Sequence, residues 1–350
     1  MVGTGDGRTP SRSSQNFLPG QGRGGTFRLS ELRVPVVLAP MAGGPSTPAL
    51  AAAVSDAGGL GFLAAGYRSA EALAEQIAAT RELTSAPFGV NLFELRGSRP
   101  ANPAVVTAYA ATLPEPLGTP VFDDDDTAAK LEVLAADPVA VVSFTFGCPA
   151  RATIDLLHEA GTAVWVTVTT PDEARVAEEA GADTVVAQGA EAGGHQGSFS
   201  DPEREPLGLL SLLQLLDTRL PFVAAGGIAT ARGVAAVLAA GAQAAQAGTA
   251  FMLCPEAGTH PAHRERIGAP GLTGLTRAFT GRLARGIVND FQATYPNAPS
   301  AYPEIHHLTS PYRAAARERG DADGFNLWAG QAHLLAEARP AAEVLAALTP

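Results

Sequence analysis

Chemistry in this chain is concentrated where reactive or hydrogen-bonding side chains sit among glycines. The segment Ala190-Glu191-Ala192-Gly193-Gly194-His195-Gln196-Gly197 puts one imidazole in a loop that a ligand can approach closely. An imidazole there can hydrogen-bond an anion, neutralise it when protonated, or take a proton when neutral. Gly226-Gly227 and Gly248-Thr249 are two further glycine turns. At such turns backbone N–H groups can meet phosphate oxygens, and a helix starting near Thr230 adds a favourable field. Asn91 and Gln188 carry carboxamides, which suit a ligand edge of mixed donors and acceptors.

The remaining reactive residues point elsewhere. The other six of the seven histidines read as surface or structural. His260 and His263 flank Pro261 without a third ligand nearby, and His306 and His307 point apart, so no metal site is expected. Cys148 would need an adjacent base or positive field to act as a nucleophile. Arg151 is near it, but Pro149 reads as a helix start, so no catalytic thiol is expected, and Cys254 reads as core. Lys130 is the only lysine; after the run Asp123-Asp124-Asp125-Asp126 it reads as solvated surface, which argues against Schiff-base chemistry. Neither a GxxxxGK[ST] nor an HExxH motif occurs.

These positions need a scaffold. Eight apolar, β-branched runs recur: Val34–Met41, Leu60–Gly66, Phe88–Phe93, Val139–Gly147, Ala163–Thr169, Thr184–Gly189, Pro221–Gly227 and Ala244–Met252. They are continuous rather than alternating, as in parallel strands buried on both faces. Between them lie helix signals. Thr170-Pro171-Asp172-Glu173 reads as a capping box with Pro at the first helical position; Ser46-Thr47-Pro48 and Thr230 open two more helices. Eight such units predict an α/β fold, a (β/α)8 TIM barrel, over an open doubly wound sheet. Active sites of such barrels lie at the carboxyl ends of the strands. That rule selects Pro40 and Met41, Asn91, Gln188, Gly226 and Gly227, and Gln246, Gly248 and Thr249.

Two regions break the rhythm. Glu94–Pro138 should hold a helix and long loops. Cys254–Gly320 shows no clear strand and reads as a mainly helical cap beside the barrel mouth, and Gln331–Leu348 as a closing helix. The expected organisation is a flexible tail over 1–30, the barrel over 31–253, the cap over 254–320, and a C-terminal helix within 321–350 packed on the barrel.

Composition bounds the function. The 350 residues are 46% hydrophobic and 17% charged, enough to build a core, and the net charge of -11 disfavours nucleic acid and anionic membranes. Two cysteines fit a reducing compartment, so a cytoplasmic location is expected. Residues 1–26 lack the apolar core of an export signal. Gly233 to Leu253 carries no charge, but its Ala and Gly content, with Gln243 and Gln246 inside, does not read as a membrane helix.

Several motifs carry a resemblance. Ala39-Pro40-Met41-Ala42-Gly43-Gly44-Pro45-Ser46-Thr47 is similar to the first motif of the nitronate monooxygenases, and Gln188-Gly189-Ala190-Glu191-Ala192-Gly193-Gly194-His195 resembles their central motif. Ala224-Ala225-Gly226-Gly227-Ile228 and Gln246-Ala247-Gly248-Thr249 resemble their phosphate-binding turns; Asn326-Leu327-Trp328-Ala329-Gly330-Gln331 resembles the C-terminal signature of the bacterial class I members. The likeness covers about residues 30–335, in order. It implies an FMN-containing barrel that oxidises alkyl nitronates, such as propionate 3-nitronate, with dioxygen, releasing nitrite and a carbonyl product. The implied cofactor-binding residues are Pro40, Met41, Asn91, Gln188, Gly193, Gly226, Gly227, Gln246, Ala247, Gly248 and Thr249, with His195 catalytic and no metal. The implied partners are a small anionic substrate and dioxygen; a homodimer is allowed. Family members often carry histidine where this chain has Thr145, which bears on substrate preference and leaves the flavin positions intact.

The nearest alternative is an NAD(P)H-dependent FMN enoyl-thioester reductase, which shares the glycine turns; the other is a barrel that binds flavin, or none, without turnover. FMN rather than FAD is expected, because no GxGxxG fingerprint follows the first strand to take a pyrophosphate; the literal match from Gly20 to Gly25 precedes any strand. Mass spectrometry of the released cofactor checks this: FMN is the expected mass, and adenine in it would contradict the assignment.

Overall fold

Threonine caps set the start of the barrel helices. In the computed structural model, which describes residues 26–201 and 205–350, Thr47, Thr170 and Thr230 each accept a backbone N–H three residues on. The helices Pro48–Asp56, Pro171–Ala180 and Ala231–Ala239 follow. Gly181, at φ 98°, closes the second in the left-handed conformation that glycine adopts without strain.

Eight parallel strands fall within the eight apolar runs. They are β1 (Val36–Leu38), β2 (Gly61–Ala64), β3 (Phe88–Phe93), β4 (Val141–Thr145), β5 (Ala163–Val168), β6 (Thr184–Gln188), β8 (Phe222–Ala225) and β9 (Ala244–Ala247). Their order is β1-β9-β8-β6-β5-β4-β3-β2. A bridge between Val37 and Leu60 closes the ring, with Leu38 N–H on the Leu60 carbonyl at 2.9 Å. The fold is therefore a (β/α)8 barrel.

Both faces of the strands are buried, which explains the continuous apolar runs. In β5, Ala163 and Trp165 face inward and pack with Phe62, Val141, Val186 and Val223, while Val166 and Val168 pack outward against the helix Pro171–Ala180. Phe27 and Leu29 join the inner layer; Phe27 lies 6.5 Å from Trp165, ring to ring. The expected tail over 1–30 is thus too long: its last residues enter the core, and residues 1–25 lie outside the described residues.

Four other expectations change. The region 254–320 is not helical throughout: β10 (Thr273–Thr276) and β11 (Ala284–Ile287) pair antiparallel, and β11 pairs with β7 (Gly194–His195). These short strands carry Gly and Arg and show no apolar run to announce them. The closing helix is shorter, Ala341–Leu348. Glu173 does not complete a capping box; its carboxylate accepts from Thr169 N–H at 2.6 Å and Phe199 N–H at 2.7 Å. Lys130 is fully buried and ion-paired with Asp125 at 2.7 Å, because its helix, Thr127–Ala136, turns that side chain inward. Glu94–Pro138 holds two helices, this one and Pro103–Ala110. The uncharged stretch after Gly233 divides between a helix end, β9 and a turn, and among the described residues no helix is long and apolar enough to cross a membrane.

Gly61 lets β2 lie against the helix Pro48–Asp56: a Cβ there would stand 2.0 Å from the Ala51 carbonyl oxygen. Gly61→Ala should destabilise the fold by about 3 kcal/mol, since rigid backbone leaves overpacking little room to relax. Urea unfolding measures this, and an unchanged midpoint would contradict it.

Candidate active site

The carboxyl ends of the strands open into a cavity of about 600 Å3. Pro40 and Met41 after β1, Asn91 on β3, Gln188 on β6, Gly193 and His195, Gly226 and Gly227 after β8, and Gln246, Ala247, Gly248 and Thr249 from β9 onward all line it. Residues from five strands and their loops thus converge on one space. Thr145 lines it as well.

The two glycine turns make a donor-rich corner. Gly226 and Gly227 take φ of 119° and 68°, open to glycine and strained for most other residues. A Cβ on Gly248 would lie 3.2 Å from Ala39 Cβ. Among the described residues, the N–H groups of Gly227, Ile228, Thr249 and Ala250 have no backbone acceptor. Unpaired amides gathered at a turn form a concavity suited to an anion such as phosphate.

The carboxamides are oriented by their neighbours. Asn91 Nδ2 donates to Ser143 Oγ at 2.9 Å and Thr145 Oγ1 at 3.0 Å, which leaves Oδ1 as the acceptor it can offer. Gln188 ties the histidine loop to β6: Nε2 donates to the His195 carbonyl at 3.2 Å, and Oε1 accepts Gly197 N–H at 2.7 Å. Gly193 serves close packing, since a Cβ there would meet the Ala329 carbonyl carbon at 2.5 Å. Glu191 is drawn from the cavity by Leu209 N–H at 2.9 Å, at the start of the helix Leu209–Leu215.

His195 is packed among aromatic rings. Phe146, Tyr302 and Trp328 have ring centroids 5.6, 5.7 and 5.6 Å from the imidazole. Nε2 lies 2.9 Å from Thr280 Oγ1, and that hydroxyl can donate to the Arg282 carbonyl at 3.3 Å. In that arrangement Nε2–H is the donor and Nδ1 the acceptor. Burial, reinforced by Arg282 and Arg313, pushes the imidazole down to about 3. His195 is neutral at physiological pH, so a protonated imidazole does not neutralise a bound anion there.

Positive charge comes from arginines that motif reading missed. Arg313 is buried and held by Thr309, Ser310, Asn326 and the His306 carbonyl, all uncharged. Burial lowers it to about 10. Arg317 bonds Asn326 at 2.8 Å and lines the cavity, and both border an adjoining chamber of about 270 Å3. Arg282 lies over the Phe146 ring, 4.1 Å from its centroid, and bonds the Ser198 carbonyl. No Asp or Glu is among the described residues lining either space. Arg313 and Arg317, whose hydrogen-bond partners are uncharged, border a carboxylate-free cavity and favour an anionic occupant; Arg282 lies behind Phe146, where Asp201 and Glu173 also act on it.

Tyr67 was also missed. It lines both spaces, stacks on His306 at 4.1 Å and meets Tyr302, hydroxyl to hydroxyl, at 3.3 Å. His260 and His263, read as structural, line the cavity too, and no metal-binding group of His, Cys, Asp or Glu forms among the described residues. Cys148 is half-buried, and burial pushes its thiol up to about 11, against a thiolate nucleophile. Cys254 is core.

Burial sets a pH dependence. His195, His263 and His306 are lowered from 6.5 to about 3, about 4 and about 2. Below pH 6.5 the unfolded chain binds protons that the folded chain refuses, so stability present above that pH is lost as pH falls. Each histidine adds a slope of up to about 1.4 kcal/mol per pH unit. The melting temperature should fall between pH 6.5 and 4, and His306→Phe, which retains a ring against Tyr67, should flatten the fall. Equal slopes for the two proteins would remove His306 from this account.

The whole described barrel matches known proteins. The chain matches the family described as nitronate monooxygenase over residues 27–350. The nitronate monooxygenase of Pseudomonas aeruginosa is 44% identical over 343 residues, covering 92% of this chain and 97% of that protein. The one from Paraburkholderia phytofirmans is 41% identical over 335 residues, covering 90% and 91%. The crystal structure of nitroalkane oxidase from Streptomyces ansochromogenes superposes with a TM-score of 0.88 at 50% identity, covering 91% of this chain and 95% of that one. FabK from Thermotoga maritima superposes at 0.71 with 30% identity, covering 91% and 93%.

Proposed function

Because the chain belongs to the nitronate monooxygenase family and is a flavin-dependent oxidoreductase acting on nitronates, we propose that its flavin is FMN and that His195 is its catalytic residue. The observation that carries this reading is the pairing of unpaired turn amides with a neutral, buried imidazole in one carboxylate-free cavity. Gly226, Gly227, Gly248 and Thr249 would hold the phosphate, and Asn91 and Gln188 the polar edge of the ring system. Pro40, Met41, Gly193, Gln246 and Ala247 would complete the walls. The barrel over 31–253 carries these groups, and the segment 254–320 covers the mouth.

When bound, the flavin supplies electron acceptance from the nitronate and reoxidation by dioxygen. The chain's own residues bind and orient. A nitronate is already deprotonated, so His195 need not remove a proton from it. In the tautomer with Thr280 Oγ1 donating to Nε2, the neutral imidazole offers Nδ1–H to the anion, whereas the tautomer with Nδ1 bare serves as base toward a nitroalkane. Arg282, Arg313 and Arg317 offset the anion's charge from nearby. The chamber beside Arg313 and Arg317 suits a substrate with a second anionic group, such as propionate 3-nitronate. Aromatic packing of Phe146, Tyr302 and Trp328 around the imidazole keeps water away. Two free cysteines fit a cytoplasmic setting.

Oxygen uptake with preformed nitronates and with neutral nitroalkanes tests the assignment. His195→Asn should keep its flavin. It should lose ~10²–10⁴ of the rate on nitroalkanes, where a base is needed. Preformed nitronates should lose less, since an amide still donates a hydrogen bond. Equal losses leave positioning as the role, and no loss on either removes His195 from the reaction. Anaerobic flavin reduction by NADPH but not by nitronate would support enoyl reduction instead.

A further inference from the structure

The acidic run Asp123–Asp126 is an internal strut. Asp125 and Asp126 adopt φ of 59° and 53°, a conformation that Asp and Asn tolerate better than most residues. This curl turns Asp125 inward. One of its oxygens accepts Tyr67 N–H at 2.8 Å, and the other pairs with Lys130 at 2.7 Å. Lys130 is wholly buried, and the Asp125 side chain is 10% exposed. A charged pair is costly to bury, and nothing in the barrel core requires one at this place. What the pair does touch is the backbone of Tyr67, whose own φ is 66°. For a tyrosine that conformation is strained, so an outside contact must hold it.

Tyr67 in turn orders the roof beside His195. Its ring stacks on His306 within 3° of parallel, and its hydroxyl meets that of Tyr302. Tyr302 packs against both Phe146 and His195. A second contact from the same run reaches the helix Glu304–Glu318 that carries His306: Asp123 bonds His307 at 2.7 Å.

We infer that Asp125, held in place by Lys130, is a positioning residue for the substrate wall, acting through the Tyr67 backbone on the Tyr67, Tyr302 and His306 surface beside His195. The inference rests on the proposed placement of substrate at His195. The Asp125–Lys130 pair touches neither flavin nor substrate; it sets the shape that the nitronate meets.

Two double variants test it, both free of an unpaired buried charge. Asp125→Asn with Lys130→Met keeps an oxygen for Tyr67 N–H. Asp125→Gly with Lys130→Met removes that oxygen without opposing the positive φ, since Gly and Asn both tolerate it. Flavin content and circular dichroism confirm that each is folded. With propionate 3-nitronate, the Asn variant should stay within about twofold of wild type in KM. The Gly variant should raise KM on the order of tenfold with kcat less affected, as expected when a binding wall is misplaced. A wild-type KM in the Gly variant, or an equal rise in both, overturns the inference. Hydrogen–deuterium exchange of the peptide containing Tyr67 reads the tether without turnover: exchange should accelerate in the Gly variant alone. If the wild-type protein does not oxidise the nitronate, the functional reading falls, and the exchange comparison still decides the tether. Equal exchange in both variants would remove it.

Discussion

Closure of the eight-stranded sheet is the constraint from which the site follows. Leu38 N–H bonds the Leu60 carbonyl, and Leu60 N–H bonds the Val36 carbonyl, joining the two end strands of the sheet order, β1 and β2. Without that seam, β1 and β2 would be open edges with unpaired backbone groups. With it, all strands point their carboxyl ends to one side, and residues from β1, β3, β6, β8 and β9 reach one cavity although they span the chain from Pro40 to Thr249. The interior below is filled by Trp165, Phe62 and neighbouring apolar residues, with Phe27 and Leu29 packed against them, which leaves the cavity at the carboxyl ends.

Charge is sorted with similar economy. The chain carries an excess of acid, -11 overall, yet its cavity walls hold no described carboxylate. The nearby acids are bound to structure. Glu191 is on the N-terminal amide of a helix, Glu173 on Thr169 and Phe199, and Asp125 on Lys130 and Tyr67. The arginines near the mouth bond carbonyls, hydroxyls and an amide instead. Their charge remains available to a bound anion, and the same field, added to burial, keeps His195 neutral. A neutral imidazole and guanidinium groups held by uncharged partners are thus two results of one arrangement.

The loop carrying His195 is held from several directions. Gln188 fastens it to the barrel, β11 pairs with it from the cap, and the Ala329-Gly330 backbone lies close enough to Gly193 to exclude any side chain there. Thr249 accepts Gly330 N–H at 3.0 Å, linking the turn after β9 to the C-terminal segment. The small antiparallel sheet therefore does more than cover the mouth: it fixes the histidine relative to the glycine turns.

Much of this was legible in the sequence. Strands buried on both faces must be continuous apolar runs, so all eight could be found, and threonine caps with proline after them marked helix starts. Glycine turns at strand ends, two amides and a histidine in a glycine loop are local signals, and the barrel rule placed them at one end. Other features were decided only in three dimensions. β10 and β11 are stabilised by pairing with each other and with Gly194-His195, not by an apolar pattern of their own. Arg313, Arg317 and Tyr67 stand in unremarkable local sequence and gain meaning from the cavity they border. Lys130 beside four aspartates has the composition of a solvated surface; it is buried because the chain curls through two left-handed residues and turns Asp125 inward to meet it. Local propensity reports what a segment prefers by itself, whereas the placement of a charge depends on which distant groups the fold brings within a few ångströms.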